Sequence, residues 1–225
     1  MPVSARLSLL WYHGRLGLSW AALIPVFALA ATVAVLTSAA PPMQRDHDLA
    51  VALEGGMPIV AALLAAPLLM GDRERATLCW LATRASLRGV LALRLALLAL
   101  YLLACCGLAV LVAGLLWHDA PPWAALSWGG ARAVAFVGVS ALSASWGRAS
   151  VHGYIAAAAS WLGVLMFGSL MPGHEPWLMF NPFAWSSGYG LDVVAHSMIV
   201  YVAVGLALLL PQWPLLRLER LLRHT

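Results

Sequence analysis

Lysine is absent from this 225-residue chain, in which all 13 basic residues are arginine. The phosphate-binding P-loop is therefore excluded, because that motif places a lysine on the nucleotide phosphates. Schiff-base catalysis is excluded too, since it needs a lysine amine. The sequence also lacks the H-E-x-x-H zinc motif and the G-x-S-x-G nucleophile motif. We therefore predict a protein that is not an enzyme and has no cofactor or metal of its own.

Charge and cysteine are scarce. Only 10% of the residues are charged, and the three cysteines, Cys79, Cys105 and Cys106, lack the paired spacing of a zinc site or a disulfide framework. We interpret them as small apolar filling residues. The formal charge of +4 does not indicate nucleic-acid binding, because the arginines are divided among apolar blocks and do not share one surface.

Hydrophobic residues make up 63% of the chain, and the mean hydropathy of +0.87 is far above that of ordinary soluble domains. A membrane-spanning helix needs about 20 mainly apolar residues. The sequence predicts a single all-α membrane domain over residues 1–225, with six spans at Leu18–Ser38, Gly56–Met70, Val90–Trp117, Trp123–Trp146, Tyr154–Met171 and Val193–Leu210. The end of the first segment, LTSAAPP, resembles a signal-peptide cleavage site, so cleavage there is the alternative to a first span.

Arginine is distributed unevenly between the two sides that six spans create. Arg45 is the only arginine outside the spans on one side, whereas the other side carries ten. Because arginine accumulates on the cytoplasmic side of membrane proteins, we predict cytoplasmic N- and C-termini and a cytoplasmic loop at residues 71–89. The abundance of alanine and arginine suggests a GC-rich bacterial genome, and hence the bacterial inner membrane.

Two further segments are expected at the membrane surface. Residues 1–17 combine Leu7, Leu10 and Trp11 with Arg6 and Arg15, a pattern that predicts an amphipathic helix in the cytoplasmic interface. The outer segment 172–192 mixes aromatic residues with proline and glycine and is too short to cross the membrane. We expect it in the outer interface, with a re-entrant hairpin as one arrangement.

The loop 71–89, GDRERATLCWLATRASLRG, is the only long polar stretch in the middle of the chain. Its acidic residues come first and its last arginines follow, a charge order that suits a helix dipole. One interpretation is that the loop is solvated and serves only as a signal for membrane topology. Leu78 and Trp80, which such a loop does not need, favour a docking surface for a partner.

At residues 72–88 the loop resembles E-R-E-x-G-T-L-E-x-L-L-x-T-P-x-S-R, a pattern found between the second and third spans of ABC-2 type transporter permeases, the six-helix membrane subunits of ABC exporters. Ala76, Cys79 and Arg84 replace the family's Gly, second Glu and Pro, and Arg94 replaces a later Lys. The segment FNPFAW at 180–185 is similar to the Asn-Pro segment before the last helix of this family.

The resemblance implies a half-transporter, in which two permease subunits, identical or different, form a pathway for export. Separate cytoplasmic ATPase subunits would bind ATP and Mg, and membrane lipid would surround the dimer. The cargo is expected to be hydrophobic or amphipathic, such as a lipid, an antibiotic or a peptide. The residues implied in ATPase coupling are Asp72, Arg73, Glu74, Arg75, Thr77, Leu78, Trp80, Leu81, Thr83 and Arg88.

Arg132 has two readings. About ten residues beyond Pro122, it would lie about 15 Å along a helix and inside the bilayer, where a charge tends to face a cavity or a partner and to bind an anionic group or act in gating. Alternatively, Gly129 and Gly130 break the chain, the span starts later and Arg132 extends to the outer interface. Nearby Gly138 and Ser140 are expected to permit close helix packing.

The competing hypothesis is a membrane immunity or resistance protein that sequesters a toxic compound without ATP. It predicts no ATPase partner and no dependence on the loop 71–89. A membrane-embedded enzyme or a proton-coupled carrier is disfavoured, because the predicted spans contain almost no ionisable groups.

Overall fold

The computed structural model describes residues 27–35, 45–70, 87–116, 129–147, 150–168, 180–181, 183–184 and 186–210. These residues form six helical stretches, which are α1 (27–35), α2 (Arg45–Met70), α3 (Leu87–Leu116), α4 (Ala131–Trp146), α5 (Ser150–Gly168) and α6 (Leu191–Leu209). Most of the first predicted span and residues 71–86 of the polar loop lie outside the described residues.

Among the described residues, three helical segments are long and apolar enough to cross a membrane: His47–Leu68 in α2, Ala92–Val112 in α3 and Leu191–Leu209, which is α6. Ala131–Trp146 and Ser150–Met166 are shorter apolar helices. For the described residues, the predicted all-α protein with helices long and apolar enough to span a membrane is confirmed. Six complete spans, the side of each terminus and the outer hairpin stay predictions.

The helix α2 begins at Arg45, well before the predicted start at Gly56. The helix runs through Gly55 and Gly56 because these positions are packing sites. A Cβ atom at Gly55 would lie 3.5 Å from the Trp161 ring, and one at Gly56 would meet the Leu29 side chain of α1. The tertiary contacts therefore offset the poor helix propensity of glycine.

The bundle is organised around α2. Within the candidate spans, 72% of the α2 residues are buried, compared with 22% in α3 and 17% in α6. Large apolar side chains are exposed on the outer helices, as at Leu103, Leu162 and Ile199. Because hydrocarbon contact favours such side chains, the outer surface suits lipid.

Small residues bring α4 against its neighbours. A Cβ atom at Gly138 would lie 2.8 Å from the carbonyl oxygen of Gly205 in α6, and Ser140 Oγ donates a hydrogen bond of 2.8 Å to the carbonyl of Ala62 in α2. The predicted packing roles of Gly138 and Ser140 are confirmed. Cys105 and Cys106 are unbridged and buried in the apolar core, as predicted for filling residues.

Candidate functional site: a buried glutamate and arginine pair

Glu54 lies inside the apolar span of α2, about 10 Å along the helix from His47. Its side chain is fully buried, with 0% of its surface exposed. Pro58 has no N–H to donate to the Glu54 carbonyl four residues earlier. Pro58 therefore removes one hydrogen bond from the backbone ladder of α2 at the level of Glu54.

Arg132 supplies the opposite charge from the second residue of α4. Its Nη2 atom lies 3.0 Å from Glu54 Oε1, and its side chain is 1% exposed. The start of α4 approaches α2 closely because residue 129 is glycine: a Cβ atom there would come within 2.7 Å of Met57 Cγ and 3.0 Å of the Leu53 carbonyl oxygen. A side chain at residue 129 would separate the two helices at the level of the pair.

Ser186 binds the second oxygen of the Glu54 carboxylate. Its backbone N–H donates to Oε2 at 3.2 Å and its hydroxyl donates to the same atom at 2.7 Å. Hydrogen bonds to an ionised acceptor are shorter and stronger than neutral ones. The carboxylate therefore divides its interactions, with Oε1 facing Arg132 and Oε2 facing Ser186.

Residues 180–190, of which Pro182 and Trp185 lie outside the described residues, are here named the capping segment. Its backbone is held by α6, since Tyr201 Oη donates to the Phe180 carbonyl at 2.7 Å and Ser197 Oγ donates to the Asn181 carbonyl at 3.2 Å. The Tyr201 ring centroid is 5.8 Å from Arg132 Cζ, within cation–π range. Tyr201 therefore connects the ion pair with the capping segment.

Aromatic rings continue this connection to α5. Trp161 packs edge-on against Phe136 of α4, with 5.9 Å between ring centroids, and lies 5.9 Å from the Phe183 ring of the capping segment. Ala184, next to Phe183, is fully buried. The capping segment thus contacts α2, α5 and α6 and sits beside the start of α4.

The expectation that the spans contain almost no ionisable groups is wrong, because Glu54, Arg94 and Arg132 are all buried within helices. A scarcity of ionisable groups therefore no longer disfavours a proton-coupled carrier. The sequence does contain a signal for Glu54, since the apolar run LAVAL at 49–53 precedes it directly. The predicted span began two residues after Glu54, at Gly56, and so left the carboxylate outside it.

The α-helix α4 begins at Ala131, but Gly129 and Gly130 are themselves in helical conformation. The two glycines therefore do not break the chain, which the second interpretation of Arg132 expected them to do. The side chain of Arg132 is buried against Glu54 and does not extend to solvent, whereas its depth in the membrane stays a prediction. A nearby carboxylate inside the bundle compensates the charge without solvent. A role of Arg132 in a cargo pathway or in gating stays a prediction.

Most of the residues predicted to couple to an ATPase lie outside the part of the chain that the structure describes. Those from Asp72 to Thr83 lie outside the described residues, as do residues 1–17 and 172–179. Arg88 lies near the start of α3, which begins at Leu87 within the predicted loop, and its side chain is outside the described part. The docking surface therefore stays a prediction.

The buried pair is suited to holding helices together, because one carboxylate faces a guanidinium and accepts two further hydrogen bonds. Within the described residues, no group of three His, Cys, Asp or Glu side chains could hold a metal ion. The arrangement joins α2, α4 and the capping segment through one carboxylate.

No protein-family model, no curated protein and no solved structure matches the chain.

Proposed function

We propose that the chain is the membrane-spanning permease subunit of an ATP-driven exporter of the ABC-2 type. The observation that carries this proposal is the motif DRERATLCWLATRASLR at residues 72–88, which leads directly into the long apolar helix α3. In the permeases that the motif resembles, this loop contacts an ATPase subunit. The helical bundle with its apolar outer surface supports a membrane subunit of this kind.

The energy source would lie in other chains. Since a P-loop cannot be built without lysine, cytoplasmic ATPase subunits would bind ATP and Mg. Their closure would move the loop and rock the helices as rigid bodies. Two permease subunits, identical or different, would enclose the pathway in the bacterial inner membrane.

The kind of cargo is inferred from the exposed surfaces of α3 and α6, which could line such a pathway. Most residues in the spans of α3 and α6 are not buried within one subunit, and their exposed side chains include Leu100, Leu111 and Leu206. A pathway between two such subunits suits a hydrophobic or amphipathic cargo, such as a lipid, an antibiotic or a peptide. Arg132 is the candidate residue for gating it.

The test is purification of the tagged chain from its native host in nanodiscs, with identification of co-purifying proteins. We expect a stoichiometric ATPase subunit that is lost from Leu78→Asp and Trp80→Ala variants. Trp146→Ala is the matched control, because Trp146 is 83% exposed at the end of α4 and far along the chain from the loop. Arg73→Glu should weaken co-purification, whereas Arg45→Glu, on the opposite predicted side, should not.

A chain that purifies alone and shows no nucleotide-dependent activity would contradict the exporter proposal. It would favour the ATP-independent immunity protein, which binds its compound without a motor. Retention of the ATPase in both loop variants would instead place the docking surface outside residues 72–88.

A further inference from the structure

We propose that the described helices fit a lipid bilayer at one defined depth. The Glu54–Arg132 pair lies inside the hydrocarbon, about 10 Å from one boundary, and Trp146 lies in the headgroup region at the other boundary. The partner of the bundle surface is membrane lipid with a hydrocarbon core of about 30 Å. This placement goes beyond the exporter hypothesis and does not depend on it.

The ion pair gives α2 and α4 a common reference level. Glu54 Oε1 and Arg132 Nη2 are 3.0 Å apart. About 12 Å farther along each helix, Ser140 Oγ of α4 donates a hydrogen bond to the Ala62 carbonyl of α2. Two contacts with the same spacing on both helices show that α2 and α4 run parallel and in step. Distances along either helix from the pair therefore describe the same depth.

The two helices end at the same level on one side of the pair. The apolar segment of α2 ends at Leu68 and α4 ends at Trp146, each about 21 Å from the pair. The next helix, α5, begins at Ser150, and a Cβ atom at its Gly153 would lie 2.6 Å from the Ser140 carbonyl oxygen of α4. The chain therefore turns back at this level, which forms one boundary of the hydrocarbon.

Polar residues mark the other boundary. In α2, the exposed His47 lies about 10 Å from the pair. Helix α6 runs parallel to α4, since Tyr201 contacts the start of α4 and Gly205 contacts its middle. The exposed Asp192 lies about 14 Å before Tyr201 in α6. The two polar side chains thus agree within one helical turn on the position of the second boundary.

The two boundaries are separated by the thickness of a bilayer. The distances on either side of the pair together come close to the hydrocarbon thickness of about 30 Å. If the pair lay at a boundary instead, α2 and α4 would both end about 9 Å short of the opposite one. The exposed side chains between the two levels include the apolar Leu162, Ile199 and Val204. A position of the pair inside the hydrocarbon therefore accounts for both the helix lengths and the surface.

Trp146 is suited to the headgroup region of the lipid. Its side chain is 83% exposed, so the bundle does not cover the ring. Tryptophan is enriched at membrane–water interfaces, because its ring is apolar and its N–H needs a polar partner. At the end of α4 the ring reaches the hydrocarbon while the N–H reaches the headgroups. Lipid therefore satisfies both parts of the side chain.

The experiment is a depth measurement on the full chain in nanodiscs, without an ATPase. Single spin labels are attached in a background whose three native cysteines are replaced by alanine. The labelled variants are Asp192→Cys, Val204→Cys, Leu210→Cys and Trp146→Cys, all at exposed positions. Collisions of each label with oxygen, which dissolves in hydrocarbon, are compared with its collisions with a water-soluble nickel chelate. The ratio of the two rises with depth in the membrane.

We expect the ratio at Val204 to exceed the ratios at Asp192 and Trp146 several-fold. Val204 lies about 4–5 Å beyond Tyr201, and this distance places it near the middle of the bilayer. Leu210 is the matched control on the same helix. It should give a lower ratio than Val204, because it lies about 9 Å nearer to the Trp146 boundary.

Two results would overturn the placement. A Leu210 label deeper than the Val204 label would put the ion pair at a boundary, and a Trp146 label as deep as the Val204 label would remove Trp146 from the headgroups. Because no ATPase is present, the outcome is separate from the co-purification test of function. A chain that purifies alone can still lie at the proposed depth.

Discussion

Glu54 and Arg132 place two opposite charges in the interior of a bundle whose outer surface is apolar. Each charge alone would carry a desolvation cost of several kcal/mol in such surroundings. Together they neutralise each other, and Ser186 satisfies the remaining carboxylate oxygen. The stability of the protein should therefore depend on the balance of the pair more than on either residue.

Glu54→Gln is expected to destabilise the protein by about 3–5 kcal/mol, because it leaves the Arg132 charge buried without its partner. The double variant Glu54→Gln with Arg132→Gln should recover much of this loss, since neither charge remains. The intrinsic tryptophan fluorescence of the purified protein would report both melting temperatures. The exposed acid Asp192 gives the matched control, and Asp192→Asn should change stability by no more than about 0.5 kcal/mol. Equal losses in the single and double variants would show that the pair is not coupled.

The helices α4 and α6 pack backbone to backbone through glycine. A Cβ atom at Gly205 would lie 2.5 Å from the Val134 carbonyl oxygen, a distance that neither rigid helix can accommodate without moving. This contact holds α6, and with it Tyr201, at a fixed distance from Arg132. The geometry of the site thus depends on a packing residue that is not part of it.

Gly205→Ala is expected to cost about 1–3 kcal/mol of stability, because it introduces a backbone clash between two helices. Gly163→Ala in α5 is the control, since a Cβ atom there meets no atom within 4 Å. This substitution should be neutral or stabilising by up to about 1 kcal/mol, as alanine favours a helix. The free energies of unfolding in mild detergent provide the comparison, and an undisturbed Gly205→Ala variant would argue against the close α4–α6 contact.

The boundaries of some helices could be predicted from the sequence more closely than those of others. The predicted spans that correspond to α3, α5 and α6 agree with the observed helices to within about one turn, because their apolar runs are continuous. The helix α2 was truncated in the prediction at Gly56. Its true start depends on Trp161 and Leu29, which fill the spaces beside its glycines.

At the scale of the molecule, the start of α4 and the capping segment lie at one end of the bundle. Trp146 lies about 22 Å farther along α4, at the other end. The arginine distribution predicts that the first end faces outwards and the second faces the cytoplasm. Exposed residues at each end make this orientation testable.

Cysteines introduced by Ser187→Cys and Trp146→Cys should differ in their reaction with a membrane-impermeant maleimide. Both positions are exposed in the structure, so only the side of the membrane should distinguish them. We expect Cys labelling at 187 in intact cells and labelling at 146 only after permeabilisation, above the background of the unsubstituted chain. The reverse pattern would invert the orientation and move the loop 71–89 to the outer side.

The sequence alone determined the class of the protein, the approximate course of most helices and the polar loop that resembles an exporter permease. These properties depend on local composition and hydropathy, which can be read one segment at a time. The tertiary structure alone decided that Glu54 is buried in the bundle, that it pairs with Arg132 and that Ser186 donates hydrogen bonds to its second carboxylate oxygen. Those contacts join residues distant in the chain, and they form because a charge within an apolar bundle must meet its partner wherever folding brings the two together.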